Sequence, residues 1–394
     1  MIGVLIFNKR IYHKRCGRTK YEFVNNGLKK ILSELNQPWE ICTRQTINNY
    51  SDVICSINSH YDVLNIINNV PRFRKVRVHI GGQACNNIRP IIPYIDTANF
   101  GRCDLGKINN ILQGDKIKSV WRRADDPEFE DNYIVDQSSS EGLGPKEQSF
   151  GCKKKCLFCH YSWWNGYAER NQSGSYQSGF ANNEDYFQNL DWSKCIRGAV
   201  TALDGCTEET RHKINKHITR DDIKDTLLRS NDLDTKTRLR LKVYCIVGYP
   251  WETQLEIDRL DLIDVIKEIS NKIRNKITIR MHFSHFIPYQ KTPLWEVPFN
   301  PNNYRKYCIN KYILYSNDNI QVWSSWKYTA SPATAAQATV IQRAGNQDTQ
   351  HIETFATKAF QRMVSEKQLS FITRTMPGML SGQVSESIPN IQNG

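Results

Sequence analysis

The chain has 394 residues, 39% of them hydrophobic and 24% charged, with a formal net charge of +13. That length allows two or three domains with a substantial core, and no window is long and apolar enough to read as a membrane-spanning helix. The start, MIGVLIFNKRIYHKR, carries its charges after the apolar run rather than before it, which is not a signal-peptide layout; with twelve cysteines, this points away from a secreted disulfide framework and toward a reducing, cytoplasmic setting.

Taken in chain order, residues 1–120 alternate short apolar runs with amphipathic segments. IGVLIF reads as a strand, YEFVNNGLKKILSEL as a helix, SDVICSI as a strand and VLNIINNV as a short helix. KVRVHIGG is another strand and KINNILQG another helix. This alternation predicts an open, Rossmann-like parallel sheet, with Gly81 and Gly82 at the strand end where such sheets place a ligand crevice. Residues 121–148 are acidic, then rich in Ser and Gly, and read as a linker.

Beyond it, CIRGAVTAL reads as a strand and TEETRHKINK as a helix with a Thr N-cap. LRLKVYCIVGYP is a strand, TQLEIDRLDLIDVIKEISNKI an amphipathic helix and KITIRMHFSHFIPY a strand. Residues 149–300 thus read as a full or partial parallel barrel. Residues 301–394 read as a mainly helical region with a frayed tail.

Most of the positive excess lies in the first 120 residues, densest at Arg72, Arg74, Lys75 and Arg77. A surface of this kind attracts phosphate polymers, or is simply a solvated basic face.

FGCKKKCLFCHYSWW, residues 150–164, places Cys152, Cys156 and Cys159 at spacings of four and three. Three thiolates fit two chemistries. Zinc needs a fourth ligand, and the adjacent His160 offers one, but neighbouring residues on an extended chain point in opposite directions. An iron–sulfur cluster held by only three thiolates leaves one iron open to a cofactor or substrate. Thiols with no ligand role are the remaining reading.

C-KKK-C-LF-C resembles the CxxxCxxC motif of the radical S-adenosylmethionine (SAM) superfamily, including the aromatic Phe158 before the last cysteine. TALDGCTEETRHKINKHITRDDI, YCIVGYPWET and HFIPYQKTPLW are similar, in the same order, to segments of the cobalamin-binding-type subgroup, and SPATAAQATVIQRAGNQ resembles a C-terminal segment of one subgroup. The resemblance covers residues 149–347. It implies a [4Fe-4S] cluster on Cys152, Cys156 and Cys159, with SAM on its fourth iron. Reductive cleavage of SAM would then give methionine and a 5′-deoxyadenosyl radical, with a flavodoxin- or ferredoxin-like electron donor as partner. It also places Thr207, Glu208 and Arg211 at the ribose and carboxylate of SAM, residues that read equally as a capped and salt-bridged surface helix, and Gly248 and Pro250 where the backbone passes adenosine. Trp163, Trp164 and Tyr167 would wall the site from water or fill core. Lys153, Lys154 and Lys155 read as solvent-facing.

Residues 1–120 resemble the cobalamin-binding domain of that subgroup, in degenerate form. The DxHxxG loop that supplies the cobalt ligand is missing; His13 lacks the preceding Asp and the Gly spacing, so no cobalamin is expected. The stretch between Cys159 and Ala199 is also short for the family's additional β/α unit. Cys16, Cys55 and Cys85 match the positions of a second cluster poorly and read as buried thiols. The substrate is open, with nucleic acid slightly favoured through the basic N-terminal third. The competing class is a catalytically degenerate iron–sulfur or SAM-binding partner or sensor.

Overall fold

The computed structural model describes residues 1–7, 10–12, 21–23, 26–103, 106–130, 133–134, 149–152, 154–164, 167–169, 187–196, 198–253, 259–299, 313–325 and 332–344. His13, Cys16, Lys153, the side chain of Tyr167, residues 135–148 and the tail after Ala344 lie outside the described residues. The chain divides into two compact units, one built from Met1–Lys153, His160–Gly174 and Ile341–Gln361, the other from Lys154–Cys159, Ser175–Val340 and Arg362–Gly394.

In the first unit, strand β1 (Ile2–Leu5) is followed by a short antiparallel pair, β2 (Arg10–Tyr12) and β3 (Tyr21–Phe23), and helix α1 (Asn26–Ser33). The sequence predicts one helix across this last stretch; instead Tyr21–Phe23 is a strand and the helix starts only at Asn26. Next come β4 (Trp39–Cys42), β5 (Asp52–Ser56), helix α2 (His60–Asn69), β6 (Arg77–Gly81), β7 (Thr97–Asn99), helix α3 (Lys107–Gln113) and β8 (Val120–Arg122). They form one six-stranded sheet in the order β4-β1-β5-β6-β7-β8, parallel except for β8. The order reverses at β1, which places a topological switch point beside β5. Buried on both faces, the central strands are short apolar runs: Ile2, Val4, Val53 and Val78 have no exposure. Ile2, Val4 and Ile54 pack with Leu28 and Leu32 of α1 and Ile108 and Leu112 of α3.

Two sequence signals fix local turns. Ser59 and Asp62 form a reciprocal capping box at the start of α2. Gly82 has φ +114°, and a Cβ there would lie 2.2 Å from the Ile57 carbonyl oxygen, so no side chain fits. The linker expected from residue 121 begins inside the sheet: Trp121 is fully buried in β8, and Arg123 pairs with Asp96. A short hairpin, β9 (Ser149–Gly151) with β10 (Tyr167–Glu169), and helix α4 (His160–Trp164) complete the described part of this unit, together with the end of a C-terminal helix described below.

In the second unit, β11 (Ala199–Ala202), helices α5 (Glu208–Lys213) and α6 (Arg220–Leu228), β12 (Leu239–Val247), helix α7 (Asp261–Ile269) and β13 (Ile277–His285) give the predicted β/α alternation. Within the last region, the described residues 313–325 depart from the helical expectation. Strands β14 (Ile313–Ser316) and β15 (Ile320–Ser325) form a hairpin before helix α8 (Pro332–Arg343). Asn317 Oδ1 accepts from the Asn319 and Ile320 amides at 3.0 and 2.6 Å, an Asx-type turn that reverses the chain, and IQVW then alternates as a strand does. The sheet order is β11-β12-β13-β15-β14, with β14 alone antiparallel. Among the described residues this is a five-stranded, mostly parallel sheet. One face of β12 (Leu239, Leu241, Val243, Cys245, Val247) packs on Leu262, Val265, Ile266 and Ile269 of α7. The last turn of α8 belongs to the first unit, where the Asn86 side-chain amide donates to Gln342 Oε1 at 3.0 Å and that of Asn87 to the Gln342 carbonyl at 2.7 Å. No described helix is long and apolar enough to cross a membrane.

Candidate functional site

Cys152 follows β9 in the first unit; Cys156 and Cys159 lie in the second. The Cys159 amide donates to the Cys156 carbonyl at 3.0 Å, closing a turn, and Lys155 enters it with φ +51°. Three contacts pin this turn to its own unit. The Leu157 amide donates to the Ile214 carbonyl at 3.0 Å, and the Asn215 side-chain amide donates to the Lys155 carbonyl at 3.1 Å. Asn215 itself has φ +59° just past the end of α5, a position asparagine tolerates well. The third contact is Phe158, whose ring meets that of Tyr249 edge-on with centroids 6.4 Å apart.

Among the described residues, no group of three or more His, Cys, Asp or Glu side chains is gathered to hold a metal ion. In donor chemistry the loop nonetheless suits a soft-metal or iron–sulfur site, because its only candidate ligands are thiols and one imidazole. Burial pushes the His160 imidazole down to about 4, so it is neutral at physiological pH.

The Tyr249 that receives Phe158 sits in the turn after β12. Gly248 has φ +81°, and the Gly248 and Tyr249 amides donate to Glu252 Oε2 at 2.8 and 3.0 Å. Glu252 Oε1 accepts from the Thr210 hydroxyl at 3.1 Å, and Thr207 Oγ1, the N-cap of α5, accepts from the Thr210 amide. One buried carboxylate therefore shapes the turn and ties it to α5. Tyr249 has no exposure, donates its hydroxyl to the Asp204 carbonyl at 3.0 Å and packs against Trp251 and Phe286. Pro250 is half-buried beside it.

The other residues assigned from the sequence to SAM are placed differently. Arg211 is fully buried: Nε donates to the Ile218 carbonyl at 2.6 Å, Nη1 to the Gly205 carbonyl at 3.3 Å and Nη2 to Asp261 Oδ2 at 2.9 Å. The carboxylate this fork holds is Asp261, at the first position of α7. A Cβ on Gly205 would stand 2.9 Å from Arg211 Cγ, so the glycine admits the arginine stem. Glu208 Oε2 accepts from the Arg220 amide at 2.7 Å, linking α5 to α6. Both residues hold the helices around the turn.

Sequence reasoning missed Asp204, Lys216, Glu252 and Asp261. Asp204, at φ +55°, ends the extended segment after β11 and ion-pairs with Lys216. The signals were present as the Asp-Gly after TAL and the Glu two residues after GYP. It also missed the second face of the sheet, where Arg240, Lys242 and Tyr244 alternate with the buried residues of β12. Lys242 is in register with Arg280 and Tyr244 with His282. Lys242 Nζ donates to the Tyr244 hydroxyl at 2.6 Å, and the Tyr244 and His282 rings lie 5.4 Å apart. Strands β11 to β15 contain no Asp or Glu, so this face is cationic.

In the dense basic segment of the first unit, Arg74 and Arg77 are ion-paired within the chain, while Arg72, Lys75 and Arg77 are exposed. Arg74 is buried and pairs with Asp96 at 2.6 Å; Arg77 pairs with Asp52 at 2.8 Å; Arg72 donates to the Tyr94 hydroxyl at 3.0 Å. Lys75 is exposed. The Cys55 and Cys85 thiols are buried, and burial raises both well above the usual range. Trp164 is buried and meets Phe100 edge-on at 5.8 Å; Trp163 is half-buried.

No family model matches this chain, and no curated protein matches it. Five chains of solved structures do. One is the cobalamin-dependent S-adenosylmethionine radical enzyme OxsB with aqua-cobalamin and S-adenosylmethionine bound, at 10% identity and a TM-score of 0.30. The match covers 75% of this chain and 51% of that one, so the chain spans about half the length of that enzyme.

Proposed function

We propose that this chain is a radical SAM enzyme that holds a [4Fe-4S] cluster on Cys152, Cys156 and Cys159. The observation that carries the reading is the joining of the cysteine turn to the Gly248–Glu252 turn. Phe158 packs on Tyr249, and Leu157 and Asn215 fasten the same loop to the end of α5. The turn that carries Cys156 and Cys159 and the glycine turn assigned to adenosine thus belong to the same unit of the fold. When bound, such a cluster supplies one-electron cleavage of SAM to methionine and a 5′-deoxyadenosyl radical, with the electron coming from a flavodoxin- or ferredoxin-like donor.

The chain's own residues do the positioning. Glu252 sets the Gly248 turn, whose missing side chain leaves the backbone open to a planar base. Thr207 caps α5, and Arg211 with Asp261 locks the helices behind it. Tyr249, Trp251 and Phe286 keep the neighbourhood apolar, which suits radical chemistry. Arg240, Lys242 and Arg280 favour a substrate that carries negative charge. A phosphate-bearing substrate would meet cations here as well as at the exposed Arg72, Lys75 and Arg77.

The test is anaerobic reconstitution with iron and sulfide, followed by reduction in the presence of SAM and measurement of 5′-deoxyadenosine. Product that disappears in Cys156→Ala supports the reading. A stable cluster that yields no 5′-deoxyadenosine would make the chain a cluster-binding relic.

A further inference from the structure

His212 stands in the last turn of α5, and His217 lies just beyond the bend at Asn215; both are exposed. Their Nδ1 atoms are 3.4 Å apart and their ring centroids 5.2 Å apart, with the planes at 72°. Two imidazoles that share a tetrahedral ion at metal–nitrogen distances of about 2.0–2.1 Å have nitrogens about 3.3 Å apart and centroids about 5.2 Å apart. A straight N–H···N bond at the observed nitrogen separation would set the centroids at about 5.7 Å. The rings are tilted out of that straight line by the amount that convergence on one ion requires.

The far side of each ring says where its proton sits. His217 Nε2 lies 3.0 Å from Asn215 Oδ1. The Asn215 amide nitrogen donates to the Lys155 and Lys154 carbonyls at 3.1 and 3.5 Å, which fixes the other end of the amide as oxygen, an acceptor. His217 therefore carries its proton on Nε2 and turns the Nδ1 lone pair toward His212. His212 Nε2 faces Glu208 Oε1 at 3.9 Å, and a carboxylate on that side favours the proton on Nε2 as well. Two lone pairs then confront each other across 3.4 Å, a contact that a cation between them turns from repulsive to attractive. A proton on His212 Nδ1 would also bridge the pair, but it would either charge the ring or set a bare nitrogen against Glu208. Oxygen partners on the distant nitrogens of both rings are the usual surroundings of metal-ligating histidines. Lys216, between the two in sequence, is turned away to Asp204.

We propose that His212 and His217 form a two-histidine site for a late first-row divalent cation, of which zinc is the reference case, bound through both Nδ1 atoms with water in the open positions. Imidazole suits such ions, whereas magnesium and calcium take oxygen ligands. With two protein ligands the site is distinct from the three-ligand groups, none of which is gathered among the described residues. The cation ties the end of α5 to the segment whose Asn215 holds the cysteine turn. The site stands whether or not that turn carries a cluster.

The experiment is diethyl pyrocarbonate footprinting of the full-length protein in rising zinc chloride, with carbethoxylation of each histidine read by peptide mass spectrometry. A lone pair held by a metal is not acylated. His212 and His217 should therefore lose reactivity together, at one shared zinc midpoint, and the same concentrations of magnesium chloride should protect neither. His217→Ala should raise the midpoint at His212, and His212→Ala the midpoint at His217, at least about tenfold, since loss of an outer-shell partner alone costs that much. Both side chains are exposed, so both variants should unfold at the wild-type temperature. Absence of protection at about 1 mM zinc would overturn the proposal, because binding that weak is no chelate. Equal protection by magnesium, or separate midpoints for the two histidines, would do the same. So would a His212 midpoint unchanged in His217→Ala, which would put the shielding zinc on the thiols.

Discussion

Arg211 Nη2 donates to Asp261 Oδ2 at 2.9 Å, and neither side chain has any exposure to solvent. The arginine that sequence pattern assigns to a ligand carboxylate has a carboxylate of its own chain instead. Arg220 approaches the other oxygen of Asp261 at 3.2 Å, so α5, α6 and α7 meet at one buried charge cluster.

Arg211→Met should therefore act on stability. Removing one partner of a buried ion pair leaves a desolvated charge and costs about 3 kcal/mol. The thermal unfolding temperature should fall in the absence of SAM, and Asp261→Asn should reproduce part of the loss. An Arg211→Met protein that unfolds at the wild-type temperature but no longer binds SAM would return the residue to the ligand.

Glu252→Gln should separate shape from charge at the Gly248 turn. The carboxylate accepts from two backbone amides and the Thr210 hydroxyl. An amide group at this position can satisfy only part of that set, and a buried donor left unpaired costs about 1–3 kcal/mol. Stability should drop by that order, and SAM affinity should fall with it because the turn loses its fixed form. Unaltered SAM affinity in a destabilised Glu252→Gln protein would show that the turn does not carry the adenosine end.

The first unit should lose stability in acid through Asp52. Burial alone would raise this carboxyl, but hydrogen bonds from His79 and Arg77 outweigh burial and hold it down at about 2. Its folded value lies below the unfolded one, so the stabilisation is full above about pH 4 and is lost as pH falls toward 2. The amount is of order 2 kcal/mol. Asp52→Asn should flatten the acid limb of the unfolding curve, read by tryptophan fluorescence; an unchanged limb would mean that the pairing contributes nothing.

The sequence made the β/α alternation legible because β5 and β6 are short, mostly apolar runs and β12 and β13 alternate apolar with polar residues, each ended by glycine, proline or polar residues. The cysteine spacing and the Thr207 cap were legible for the same local reason. What escaped depends on distant partners. Trp121 looked like the start of a linker because nothing nearby shows that β8 pairs with β7. The ion pairs of Arg74 and Arg77 were hidden because Asp96 and Asp52 are remote in sequence. The β14–β15 hairpin was hidden among segments read as helical, although Asn317 and the IQVW alternation mark it in hindsight.

Replacing Arg72, Arg74, Lys75 and Arg77 together should unfold or weaken the first unit, since Arg74 and Arg77 hold Asp96 and Asp52. Nucleic-acid affinity, if present, should respond instead to Lys242→Gln with Arg280→Gln, which remove exposed and half-buried cations from a sheet face without acidic residues. The slope of affinity against salt should flatten in the second variant. A normally folded quadruple variant with a flattened slope would restore the first segment as the contact.

The central claim is tested most directly by iron and sulfide analysis of anaerobically purified protein beside its Cys152→Ala, Cys156→Ala and Cys159→Ala variants. The account expects about four irons and four sulfides per chain in the wild type and loss of both in each variant. Zinc without sulfide, or iron that survives all three substitutions, would contradict it.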